Sequence, residues 1–388
     1  MFGKRTAVIL GAGASYCYED GHGPLPLQKD IVGRLGGMSV SSGSGAPYFA
    51  GPSGLVHSPG LARVLRKRYG LPEDSPPGAN KLEFWDRIRE RGETLESIYA
   101  DLAKSLTESE RYLLEDFGAI LRTSVRQPIP NRAASHVCRY YRDLVSGLEP
   151  GDYIINFNWD SLMADALLYH CPFWYPRTGL GPLRLKALTA CRAKAFELPS
   201  YVQLLHIHGS VLLFDLLEAA PGSKPTGEMV YLGPPGYSEG DSLMALGAFS
   251  GEKGVRQSSD VGWASINKGY IHVEGRWLRP FFVPPSIEKG EYQHPYHRTL
   301  RTVIHELLPT TELYVVVGYS FPAADVAHLS AIFPRGVLVR SAELIVIDPA
   351  NADDAFRARV SEVFPSMANY DFSVRDFRAF SARFVEEH

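Results

Sequence analysis

The 388-residue chain is 45% hydrophobic and 21% charged, with a formal net charge of −3. It is long enough for a large core, as two lobes or as one domain with a sizeable insertion, and it lacks the basic bias of a sequence-independent nucleic-acid binder. Its four cysteines (Cys17, Cys138, Cys171, Cys191) have no Cys-x-x-Cys spacing, which excludes a zinc ribbon and a disulfide-rich scaffold and points to a reducing cytoplasm.

Thr6 to Leu10 is an apolar, β-branched run that predicts a buried parallel strand. It starts so early that no signal peptide is expected, and no later run approaches the roughly 20 apolar residues of a membrane span. Gly11 and Gly13 follow in Gly11-Ala-Gly-Ala-Ser15. A glycine turn between a strand and a helix starting at Ser15 predicts a phosphate cradle, with N–H groups and the positive end of the helix aimed at an anion. The third glycine of the dinucleotide fingerprint is absent, since Tyr16 stands in its place. Gly21-His-Gly-Pro-Leu-Pro26 reads as a proline-marked loop, either a lid or plain surface. Residues 36–60, rich in Gly, Ser and Pro, read as a loop.

Between Lys81 and Leu121 apolar residues recur at three- and four-residue spacing, and Ala133 to Leu148 repeats the pattern, so residues 81–148 read as an inserted helical module. Tyr153 to Ile155 predicts a second buried strand, ending in the polar group Asn156, Asn158 and Asp160 before a helix from Ser161 to Leu168. Polar side chains at the carboxyl end of a parallel strand mark a ligand edge. Helix capping would need only one of the three.

Tyr201 to Leu205 predicts a strand leading into His206-Ile-His-Gly-Ser210. The alternating histidines are read as a metal pair, a structural histidine or, with the best support, a general base at a strand end. Residues 217–270 read as a loop-rich insertion. A strand over Arg279–Ser286, a helix over Tyr296–Leu308 and buried strands over Thr311–Val317 and Glu343–Ile347 follow. The two buried strands exit through Gly318-Tyr-Ser320 and through Asp348-Pro-Ala-Asn351. The C-terminal residues are largely helical. Short apolar strands alternating with helices predict an α/β, Rossmann-like doubly wound parallel sheet.

Four strand exits thus carry Gly11-Ala-Gly-Ala-Ser15, Asn158-Trp-Asp160, His208-Gly-Ser210 and Gly318-Tyr-Ser320, with Asp325 shortly after. This ordered set resembles the sirtuin-like domain, in particular its divergent bacterial antiphage branch, over nearly the whole chain (residues 1–388). The resemblance implies that NAD is the substrate. Gly11, Ala12, Gly13 and Ser15 would hold its pyrophosphate, and Gly318 and Ser320 the adenosine phosphate side. Asn351 would meet the adenine ribose. Asn158 would act near the nicotinamide ribose, Asp160 on the carboxamide, and His208 as the catalytic histidine. Phe157 stands where the family has glutamine, Trp159 where the branch has tyrosine, and the family's zinc cysteines are missing. No zinc is therefore expected, and a NAD glycohydrolase is favoured over a protein deacylase. The alternative is a non-catalytic NAD- or ADP-ribose-binding regulatory subunit. The resemblance further implies an NAD-depleting defence effector that forms a homo-oligomer and works with a HerA-type ATPase or an Argonaute. No membrane association or direct nucleic-acid binding is expected.

Overall fold

The computed structural model describes residues 4–16, 38–40, 47–51, 54–56, 59–72, 87, 90–93, 95–110, 113–114, 116–118, 121, 137–174, 179–180, 201–219, 223–231, 271–273, 276–283, 295–322, 325, 329, 331–334, 338, 341–365 and 367–386. The strands run in chain order β1 (Thr6–Leu10), β2 (Met38–Val40), β3 (Pro47–Gly51), β4 (Gly54–Val56), β5 (Tyr153–Asn156), β6 (Gln203–His206) and β7 (Gly209–Leu217). They continue as β8 (Pro225–Tyr231), β9 (Ile271–Val273), β10 (Arg276–Phe282), β11 (Leu313–Val317), β12 (Glu343–Ile347) and β13 (Asn369–Asp371).

Six of them form one sheet in the order β13-β12-β11-β1-β5-β6, every pair parallel. All five residues of β1 and of β11 are buried, as are all four of β5 and of β6. This is why they read as continuous apolar runs without alternation. In register, Val8 lies between Ile154 on one side and Val315 on the other. The fold is the expected α/β, Rossmann-like parallel sheet. Counted within the sheet, the strand order is 3-2-1-4-5-6, that of doubly wound dinucleotide folds.

The chain leaves this sheet at His208 and enters a second, antiparallel sheet, β8-β7-β10-β9. The Val283 N–H donates to the His208 carbonyl at 2.9 Å, which fixes the junction. β7 is buried along its whole length. Its Asp215 carboxylate, fully buried, takes a 2.7 Å ion pair from Arg279 on β10.

Several boundaries differ from expectation. Residues 36–60 carry a small antiparallel sheet, β2-β3-β4, and the start of helix Pro59–Arg68 rather than loop alone. Residues 217–270 include β8, and beyond Tyr231 the expected insertion lies outside the described residues up to Ile271. The first helix spans Ala12–Tyr16, so it begins directly after Gly11 and not at Ser15. The expected Gly21–Pro26 loop lies outside the described residues. Of the 81–148 region, helices Leu95–Ser105 and Arg139–Ser146 are described. The second packs on the C-terminal helix Phe377–Glu386 through Tyr140 and Tyr141, whose rings stand 6.4 and 5.7 Å from that of Phe377. Among the described residues no helix is long and apolar enough to cross a membrane.

Candidate functional site

The sheet reverses direction between β1 and β11: from β1 the chain builds outward through β5 and β6, then returns to add β11, β12 and β13 on the other side. Open α/β sheets bind ligands outside the carboxyl ends of their strands at such a reversal. Two glycine turns meet there. The Gly11 N–H donates to the Val317 carbonyl at 3.0 Å, and the Gly13 N–H to the Gly318 carbonyl at 2.9 Å. The Gly318 N–H in turn donates to the Ile347 carbonyl at 2.9 Å. A Cβ on Gly11 would stand 2.5 Å from the Gly318 carbonyl oxygen, and one on Gly318 would stand 2.2 Å from the Ala14 nitrogen. Gly318 also has φ +58°, which favours glycine. The glycines are therefore required for the two turns to interlock. The Gly11, Gly13 and Ala14 amides are all engaged by backbone carbonyls, while Ala12 is exposed and Gly13 half-buried.

Behind this turn lies a buried polar cluster centred on Ser15, itself 3% exposed. Ser15 Oγ donates to Asp160 Oδ2 at 2.7 Å and accepts from Asn158 Nδ2 at 3.0 Å. A hydroxyl has one proton, so the 2.9 Å bond to Tyr141 must be donated by the tyrosine. Burial, reinforced by the Asp160 charge, pushes the Tyr141 hydroxyl well above its usual range, which keeps it a donor. Asn158 Nδ2 spends its other proton on the Gly11 carbonyl at 2.9 Å. Asn156 Oδ1 accepts from the Asn158 N–H at 3.0 Å, fixing the chain as it leaves β5. Asp160 Oδ1 accepts from the Leu162 N–H at 2.9 Å, which ties it to the first residue of the following helix. Two faces of Asn158 are thus held, yet its Oδ1 is buried with no hydrogen-bond partner among the described residues. A buried acceptor without a donor costs about 1–3 kcal/mol, and a ligand or water group is one way to satisfy such an atom.

His208 follows β6 and is also buried. Its Nε2 stands 3.5 Å from Asp325 Oδ1, and the other oxygen of that carboxylate accepts from the Tyr319 hydroxyl at 2.8 Å. The Phe157 ring stacks on Tyr319 at 4.3 Å and meets His208 edge-on at 5.1 Å. The exits of β5, β6 and β11 are joined by this aromatic wall. His206, two residues earlier, faces other groups: its Nδ1 lies 3.4 Å from Asn156 Nδ2, and burial drives its imidazole down to about 3, so it is neutral. The two histidines share no ligand set, and no group of three or more His, Cys, Asp or Glu among the described residues could hold a metal ion.

At the β11 exit Ser320 is exposed. Phe321 takes φ +51°, a left-handed conformation uncommon for a bulky side chain. Its ring is buried against Tyr319, Phe356 and Phe364. Asn351, beyond β12, is fully buried and donates through Nδ2 to the Val346 and Val374 carbonyls, both at 2.6 Å. Its side-chain amide ties the strand exit to the segment before the C-terminal helix.

The structure therefore brings Gly11, Gly13, Ser15, Asn158, Asp160 and Gly318 into direct contact, with His208 linked to them through Phe157, Tyr319 and Asp325. Sequence reasoning passed over Tyr141, which it took as helix core, and gave Asp325 no task. The Tyr141 hydroxyl had no distinguishing signal. Asp325 did have one, as a carboxylate seven residues past a glycine turn, but its partner came from another strand exit.

No family model matches the chain, and no curated protein matches it. Among solved structures, one from work on the structural basis of sirtuin substrate affinity is similar over 99% of this chain and 93% of its own, at 13% identity and TM-score 0.38. A Sir2 mutant with a p53 peptide and NAD is similar over 99% and 92%, at 12% identity and TM-score 0.33. Sir2Tm bound to a propionylated peptide is similar over 99% and 92%, at 13% identity and TM-score 0.34. At these scores the likeness carries no weight beside the strand order and the side chains at the sheet's carboxyl edge.

Proposed function

We propose that the chain binds NAD at the reversal between β1 and β11 and hydrolyses it to nicotinamide and ADP-ribose. The observation that carries this reading is the fixed, buried Asn158 whose Oδ1 lacks a donor, set at the switch point of a 3-2-1-4-5-6 sheet. The residues suit the substrate. Asn158 Oδ1 offers an acceptor to a ribose hydroxyl or to the attacking water. Asp160, a carboxylate that accepts from N–H groups, is assigned to the carboxamide N–H₂. The exposed Ala12 and half-buried Gly13, on the turn that Gly11 opens, are assigned to the pyrophosphate, with Gly318 and Ser320 across the reversal, while Ser15 and Asn351, buried with their side chains engaged, support the site from behind.

In the reaction the bond between nicotinamide and C1′ breaks, its electron pair leaving with nicotinamide, through an oxocarbenium-like transition state like that of glycoside cleavage. Water adds to C1′, and His208 takes its proton. Support for the wider reading comes from the motif resemblance: an NAD-depleting effector of antiviral defence, restrained by assembly with itself and with a HerA-type ATPase or Argonaute partner.

The test is nicotinamide release from NAD by the purified chain, followed by chromatography, alone and with a candidate ATPase. Loss of a general base costs roughly 10²- to 10⁴-fold, so His208→Ala is expected to reduce turnover by that factor, and Asn158→Ala comparably, with the fold intact. NAD binding without release from the wild type, under either condition, would replace this reading with the regulatory-subunit one. Near wild-type release from both mutants would refute the residue assignment.

A further inference from the structure

The exit of β12 carries a carboxylate that the fold uses only in part. Asp348 follows Ile347 in extended conformation, φ −154° and ψ 140°, so the chain carries it outward at the carboxyl edge of the sheet. The Ile347 carbonyl accepts from the Gly318 N–H at 2.9 Å, and the Gly318 carbonyl accepts from the Gly13 N–H at 2.9 Å. Asp348 thus directly follows the residue that ties β12 to the two glycine turns. Its Oδ1 accepts from the Ala350 N–H at 2.8 Å and caps the 3₁₀ turn Pro349–Ala352. Its Oδ2 accepts from no described residue, and no described cation faces it. The residue is half-buried, and burial raises the carboxyl pKa against the Ala350 N–H, which lowers it. Capping needs one oxygen, and a partly desolvated carboxylate gains from a donor on the other. Asn351 lies behind this exit, fully buried with its amide N–H₂ on the Val346 and Val374 carbonyls. Arg357 is engaged with its own partners: its Nε donates to the Asn351 carbonyl at 2.7 Å, and its guanidinium lies over the Phe372 ring at 5.3 Å.

Strand order says which donor Asp348 would meet. Asn158, Asp160 and His208, the groups assigned to the nicotinamide end, leave from β5 and β6 on one side of β1, while β12 lies on the other side, beyond β11. A dinucleotide laid across the reversal with its pyrophosphate at the glycine turns carries its adenosine ribose toward β12. That sugar offers two vicinal hydroxyls, each a donor. A phosphate on its 2′ oxygen replaces one donor by acceptors and adds about −1.5 to −2 charges at pH 7. Resting on the reading that NAD binds across the reversal, we propose that Asp348 is the specificity-determining residue for the adenosine ribose. Its Oδ2 accepts from a ribose hydroxyl, and the same charge repels the 2′-phosphorylated dinucleotide, NADP. The site then selects NAD by an attractive and a repulsive element in one side chain.

The experiment measures nicotinamide release from NAD and from NADP by the full chain, as wild type, Asp348→Asn and Asp348→Ser. Asn and Ser cap a helical turn about as well as Asp, so both variants keep the local fold and remove only the charge. The wild type is expected to favour NAD by at least about 10²-fold in kcat/KM. Asp348→Asn places an N–H₂ donor where Oδ2 was, so KM for NAD should rise while KM for NADP falls, narrowing the preference to about 10-fold or less. Asp348→Ser should move the ratio in the same direction and serves where Asp348→Asn does not fold. A residue that only caps the turn would change both substrates alike. Equal use of NAD and NADP by the wild type, or an unchanged ratio in both variants, would overturn the assignment. Should the wild type release nicotinamide from neither, the hydrolysis reading fails, and calorimetric titration with ADP-ribose and with its 2′-phosphate, which have no bond to cleave, still decides the discrimination. Binding of neither would overturn both readings.

Discussion

Gly318→Ala tests the interlocked turns directly. The added Cβ would lie 2.2 Å from the Ala14 nitrogen, 2.4 Å from the Gly13 carbonyl carbon and 2.6 Å from its Cα, all backbone atoms that cannot swing aside. The residue also keeps φ +58°, which costs a side-chain-bearing residue about 1–2 kcal/mol. Overpacking adds about 1–3 kcal/mol, so the total loss is about 2–5 kcal/mol. With an m-value of about 3 kcal/mol per molar urea, the unfolding midpoint falls by roughly 1 M. Gly70→Ala is the control, because Gly70 has a similar φ of +67° with nothing within 4 Å of its Cβ position. It carries the conformational cost alone, about 1–2 kcal/mol, or roughly 0.3–0.7 M. The difference between the two midpoints measures the close approach. Equal midpoints would refute the idea that Gly11, Gly13 and Gly318 are selected by mutual contact.

Ser15→Ala removes the common partner of Asp160, Asn158 and Tyr141. With buried groups left unpaired at about 1–3 kcal/mol each, the variant should lose about 3 kcal/mol in urea unfolding, and a loss under about 0.5 kcal/mol would count against the cluster. Asp152, at the start of β5, offers a pH test. Burial pushes its carboxyl up to about 6, against backbone N–H donors from Glu149 and Thr6. The native state then holds this proton more tightly than the unfolded chain, so this group's contribution to stability is full below about pH 4 and is lost as pH rises through about 6, by about 3 kcal/mol. Asp152→Asn removes this slope, and an identical pH dependence of the urea midpoint in mutant and wild type would contradict the assignment.

The central sheet was legible because burial on both faces imposes a simple composition. Val8, Ile154, Val315 and Ile345 sit in runs that no surface strand would tolerate. The same reasoning located the strand exits and hence Ser15, Asn158, Asp160 and His208. It did not reach β7, whose residues Val211 to Leu217 are equally buried but follow His208 without a break, so the run reads as an extension of the motif. Nor did it reach β2-β3-β4, where Gly and Ser suggested loop. Above all it could not pair residues across the reversal. Asp325 and His208 are brought together by strand order, and Tyr141 reaches Ser15 through helix packing, neither of which leaves a local pattern.

The reversal also orders events in time. The cluster around Ser15 draws on residues 11–160 alone, and so can close while the chain is still being synthesised. Gly13 waits for Gly318, about 300 positions later, which at roughly 5–20 residues per second is a delay of about 15–60 s. For roughly the second half of that interval, once β5 has been made, β1 has β5 as a neighbour but lacks β11, and its far edge is an open template for pairing. The nascent chain must guard that edge until its own last third arrives to fill it.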